Sequence, residues 1–63
     1  MTEAEDALAR AEELLGRLEA TRARLEETDD PEQAVEVLGE LAELAKQVEG
    51  ELQRARRQAG AGA

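Results

Sequence analysis

Two apolar stripes at helical spacing, one on each side of the segment Thr28-Asp29-Asp30-Pro31, restrict this chain to a pair of helices. In the first stripe Ala4, Leu8, Ala11, Leu15, Leu18, Arg22 and Leu25 alternate at steps of four and three, and Ala7, Leu14 and Thr21 widen the same face. That rhythm is a heptad with its apolar positions turned inward. Thr2 followed three residues later by Glu5 has the form of a capping box, in which each side chain satisfies a backbone amide that the first helical turn leaves unpaired. Helix one is expected over about 3–27.

Proline pushes the residue before it out of helical geometry yet fits the first helical position, and Asp30 is placed to cap amides near Gln33. One helix therefore ends and another begins across a turn at 28–31, and so short a connection makes them antiparallel neighbours. The second stripe is Ala34, Leu38, Leu41, Ala45, Val48, Leu52, Ala55 and Ala59, so helix two is expected over about 31–59. Arg54, Arg56 and Arg57 fall near its end, where cations favour the negative pole of the helix dipole. The Gly60-Ala61-Gly62-Ala63 tail has nothing to pack and is expected to fray. The fold class is all-α: a single domain, 1–63, built as a two-helix antiparallel hairpin that is expected to associate into a helical bundle.

Association is expected because the second stripe begins wide. Val35, Val37, Ala42 and Leu44 flank its first three turns, more apolar surface than one antiparallel helix covers, whereas beyond Val48 the flanks become Glu49 and Glu51. A chain of 63 residues with nine Leu, three Val and no aromatic side chain lies near the lower limit for burying its own core, so the hairpin alone is expected to be marginal. Val35, Val37, Leu38, Leu41, Leu44, Val48 and Leu52 are the expected partner-binding residues. Arg22 interrupts the first stripe; its stem is expected to lie over the core with its head in solvent or on Glu26, the alternative being a charged pair with a partner chain. Gly16, Gly39 and Gly50 occupy outward helical positions, each costing roughly 1 kcal/mol against alanine.

Side chains that perform chemistry are scarce. There is no His, Cys, Ser or Tyr, and the three Thr serve better as a cap, a flank and a helix end, so no nucleophile has a conventional base. Glu36, Glu40 and Glu43 stack into one carboxylate row, but metal-binding bundles turn their carboxylates inward and add His at helical spacing. A solvated face is expected there, and no catalytic, cofactor-binding or metal-ligating residue is expected anywhere.

A net charge of −8 opposes phosphate backbones and anionic membrane surfaces, since binding to either depends on clustered Lys and Arg. No direct nucleic-acid or membrane contact is expected. The absence of Cys suits a reducing compartment, the acidic N-terminus is unlike a targeting sequence, and no apolar run approaches the ~18 residues of a membrane span, so the expected location is the cytoplasm.

Two stretches carry a family resemblance. Asp6 to Glu19, DALARAEELLGRLE, resembles the opening of the small subunit of exodeoxyribonuclease VII: an acid-Ala-Leu, an acidic pair, two bulky aliphatics and a closing Leu-Glu. Glu32 to Ala55, EQAVEVLGELAELAKQVEGELQRA, is similar to that family's second helix, with Leu44-Ala45-Lys46, Glu49, Leu52 and Ala55 at matching places. Together they span 38 of 63 residues. Ala20 to Asp30 adds about two helical turns to the family's pattern, and Leu38 and Leu41 stand where an aromatic residue and a Gly are common. The resemblance implies an α-hairpin without an active site that binds helices of a large nuclease subunit, which itself degrades single-stranded DNA to oligonucleotides. The alternative reading is a self-associating hairpin that pairs into a four-helix bundle with no nuclease role.

Overall fold

A computed structural model describes residues 2–61. It is an all-α hairpin of two helices, α1 (Glu3–Glu26) and α2 (Pro31–Ala61). At the start of α1 the Thr2 hydroxyl accepts from the Glu5 amide at 3.1 Å, and the Glu5 carboxylate accepts from the Thr2 amide at 3.0 Å. The capping box is thus closed in both directions. Asp6 donates its amide to the Thr2 carbonyl at 2.9 Å, starting the helical ladder.

Bonds from the Thr2 amide and hydroxyl hold the Glu5 carboxyl below its ordinary value near 4.5. A depressed carboxyl stabilises the fold at pH above its unfolded value, and the contribution disappears as pH falls through the folded value. Thr2→Ala should cost about 1 kcal/mol of stability at neutral pH. The deficit relative to the parent should shrink in acid below pH 4.5, where the parent loses the bond from the Thr2 hydroxyl to the Glu5 carboxylate but keeps the one from the Glu5 amide to that hydroxyl. Chemical denaturation followed by circular dichroism at the two pH values checks both statements.

The turn works with few residues. Glu27 and Thr28 donate their amides back to Arg24 and Leu25, and the Thr28 hydroxyl donates to the Arg24 carbonyl at 2.7 Å. Asp30 then caps α2 by accepting from the Glu32 amide at 3.0 Å, one residue earlier than Gln33, while its carbonyl takes the Ala34 amide. Pro31 occupies the first helical position, where its missing N–H leaves nothing unpaired.

The C-terminal end differs from expectation. α2 continues through Gly60 to Ala61, and Gly60 does not take up the left-handed conformation that would stop a helix. Gly62 and Ala63, the rest of the tail expected to fray, lie outside the described residues. Arg54, Arg56 and Arg57 consequently fall before the last turn, which contains no basic residue. The dipole effect is confined to that turn, so it does not account for the cluster.

The helices close on a seam that is rotated from the expected one. Ala7, Ala11 and Thr21 on α1 and Val37, Val48 and Ala55 on α2 are buried, and Ala4, Leu14, Leu18 and Leu25 on α1 with Ala34, Leu41 and Leu44 on α2 are half-buried. Leu8, Leu15 and Arg22, expected in the seam, are exposed, as are Leu38, Ala45 and Leu52. Each helix carries three adjacent apolar rows, and one antiparallel neighbour covers two of them. The central row (Ala4, Ala11, Leu18 and Leu25; Ala34, Leu41, Val48 and Ala55) is shared by either choice. The pair turns toward the row of Ala7, Leu14 and Thr21 because Ala7 and Thr21 there admit close approach and two ion pairs join the helices along that side. Arg24 meets Glu40 at 2.5 Å and Arg10 meets Glu51 at 3.1 Å. Thr21 is accommodated in the seam because its hydroxyl donates to the Arg17 carbonyl at 2.8 Å. Neither helix is long and apolar enough to cross a membrane.

Candidate docking surface

The ion pairs fix the register. With Arg24 level with Glu40, and Arg10 near Glu51, the start of α1 lies beside the end of α2. The two flanks of the hairpin then have opposite character. One flank displays Arg10, Arg17 and Arg24 on α1 facing Glu40, Gln47 and Arg54 on α2, and Arg10, Arg17, Gln47 and Arg54 among these line an open cleft of about 490 Å³. Its arginines are engaged by Glu51, Glu13 and Glu40.

The other flank is apolar. Leu8 and Leu15 of α1 stand beside Leu38, Ala45, Leu52 and Ala59 of α2, and its four leucines are between 42% and 51% exposed. The antiparallel register puts Leu8 between the levels of Leu52 and Ala59, and Leu15 between those of Ala45 and Leu52. One ribbon of aliphatic side chains therefore runs along most of the molecule, with none of the described residues over it. Single exposed leucines are ordinary on a protein surface, whereas these four lie together in one row.

Arg22 is the one charge within this ribbon. Its guanidinium is held by Glu19 and Glu26, one turn away on either side of it on the same helix. Glu26 is the expected partner; Glu19 is the additional one. The bond and charge of Arg22 hold the Glu19 carboxyl below its ordinary range, and the bond and charge of Glu19, with the charge of Glu26, raise the guanidinium pKa. All three side chains are largely exposed, so the cluster neutralises the arginine without anchoring the fold.

The expected partner-binding residues divide three ways. Leu38 and Leu52 lie on the exposed ribbon, and Val35 is exposed beside it at 68%. Leu41 and Leu44 are half-buried under α1. Val37 and Val48 are 5% and 8% exposed and already covered by α1, so in the closed hairpin they offer nothing to a partner. Leu8 and Leu15 are the members missing from the expected set. The signal for them was the row Arg10, Arg17 and Arg24, whose charge complements Glu40 and marks the side on which the hairpin closes.

Glu36 and Glu43 of the carboxylate row are exposed, and Glu40 is taken by Arg24. Among the described residues no group of carboxylates has the arrangement of a metal site. No family model, curated protein or solved structure matches this chain.

Proposed function

We propose that this chain is a non-catalytic subunit whose leucine flank docks against helices of a larger catalytic chain. The observation that carries the reading is the uncovered row of Leu8, Leu15, Leu38 and Leu52, together with the absence of any His, Cys, Ser or Tyr with which this chain would do chemistry of its own. The family resemblance supplies the class of partner: the large subunit of a nuclease of the exodeoxyribonuclease VII type, which degrades single-stranded DNA to oligonucleotides. In that complex the large subunit provides the basic groove and the hydrolytic residues. An acidic hairpin joins without touching DNA, and its contribution is to stiffen the helices it covers.

Coexpression with the large subunit encoded in the same genome tests the proposal. The expected result is joint elution and a gain in release of oligonucleotides from single-stranded DNA. Leu15→Glu combined with Leu52→Glu should abolish both. Separate elution, with nuclease activity indifferent to the hairpin, contradicts the proposal.

A further inference from the structure

The seam that closes the hairpin does not lie at the centre of the apolar surface of either helix. At 3.6 residues per turn, the midline of the three apolar rows taken together lies about 20 to 30° around each helix from the midline of the seam. Both helices are displaced toward the same flank, that of Leu8, Leu15, Leu38 and Leu52. A helix in a four-helix bundle touches two neighbours at roughly right angles, so its stripe should be centred about 45° from the direction of each. The displacement is toward the side on which a bundle places the second neighbour of each helix, and the hairpin supplies two of the four helices.

We infer that the remaining two helices come from a second copy of this chain, which packs its leucine flank on the first to form an antiparallel four-helix bundle. A second copy carries the same displaced stripe over the same length, which a flat or single-helix partner does not. The face is 49 Å long and 15 Å wide between Cα atoms, so a second copy of the same length meets it from end to end.

Charge at the edge of the ribbon selects the pairing. The row beside the leucines is Glu5, Glu12, Glu19 and Glu26 on α1, but Val35, Ala42, Glu49 and Arg56 on α2. Stacking α1 on α1 of the second copy opposes two rows of glutamates. A two-fold axis parallel to the helices instead sets α1 on α2 of the second copy, bringing Glu5 and Glu12 toward Arg56 and Val35 and Ala42 toward Glu26 and Glu19, with Glu49 the one acid of the α2 row left beside glutamates. Every neighbouring pair of helices is then antiparallel, and the contact closes on itself without an open edge. The inference extends beyond the proposed nuclease role and does not depend on it, because it concerns the chain in the absence of any other partner.

Sedimentation equilibrium from low micromolar to near-millimolar protein tests it, using the chain with Gly16, Gly39 and Gly50 changed to alanine so that a separated hairpin stays helical. The expected mass is that of two chains. Leu15→Glu in that background should give one chain with helicity retained. Arg56→Glu, outside the leucine row, should raise the dissociation constant roughly fivefold by replacing edge attraction with repulsion. A single chain throughout the concentration range, a Leu15→Glu variant that still pairs, or an open-ended series of larger species each overturns the inference. A hairpin that stays single and pairs only with helices of a large nuclease subunit would do the same while leaving the proposed function intact.

Discussion

Val37→Asp should unfold the hairpin, whereas Val35→Asp, two residues earlier in the same helix turn, should leave it folded. Both changes replace valine by aspartate within α2 and carry the same loss of helix propensity. They differ in surroundings, since Val37 is 5% exposed beneath α1 and Val35 is 68% exposed. At position 37 an unpaired carboxylate would lose its water and the seam would lose its packing, a cost of about 3 to 5 kcal/mol. Domains of this size have little more than that in total. At position 35 the change should stay within about 0.5 kcal/mol. Urea titrations at dilute protein separate the two outcomes. Equal damage from both would mean that α2 is rotated from the position described.

Changing Gly16, Gly39 and Gly50 together to alanine should stabilise the chain. A Cβ added at each of the three meets nothing within 4 Å, so none admits a close contact inside the hairpin. Each replacement removes roughly 1 kcal/mol of backbone freedom lost on forming a helix. The sum is about 2 to 3 kcal/mol, or roughly 10 to 20 °C in melting temperature for a domain of this size. Calorimetry of the triple variant checks it. An unchanged or lowered melting point would show that these faces are packed against something in solution.

Parts of this fold were plain in the amino-acid order because they depend on neighbours a few residues apart. Thr2 and Glu5 announce the start of α1, and Asp30-Pro31 announces the start of α2 through proline geometry and a short acidic cap. The rotation of the seam was not plain, for a physical reason. Leu8 and Leu15 are larger and more apolar than Ala7 and Thr21, so residue by residue they belong inside. The pair of helices is decided jointly, by how closely small side chains let the backbones approach and by the match between Arg24 and Glu40 or Arg10 and Glu51 across the gap. That match involves two segments distant in sequence.

The end of α2 was misjudged for a related reason. Gly60 stops a helix only where the chain turns left-handed, and here it continues in helical geometry between Ala59 and Ala61. The docking surface was half legible. The width of the apolar face at the start of α2 pointed to Leu38, and Leu52 followed from the stripe that continues it, but the share contributed by Leu8 and Leu15 emerges only once the seam is known.

The central claim is that the hairpin closes over Val37 and Val48 and leaves Leu8, Leu15, Leu38 and Leu52 outward. Methyl NMR with a soluble paramagnetic probe, recorded across a dilution series, tests it directly. At the lowest concentration the methyls of the four leucines should be strongly attenuated while those of Val37 and Val48 are protected, and the leucines should gain protection as the concentration rises. Protection of Leu15 independent of concentration, or attenuation of Val37 and Val48 as strong as that of the leucines, would contradict the account.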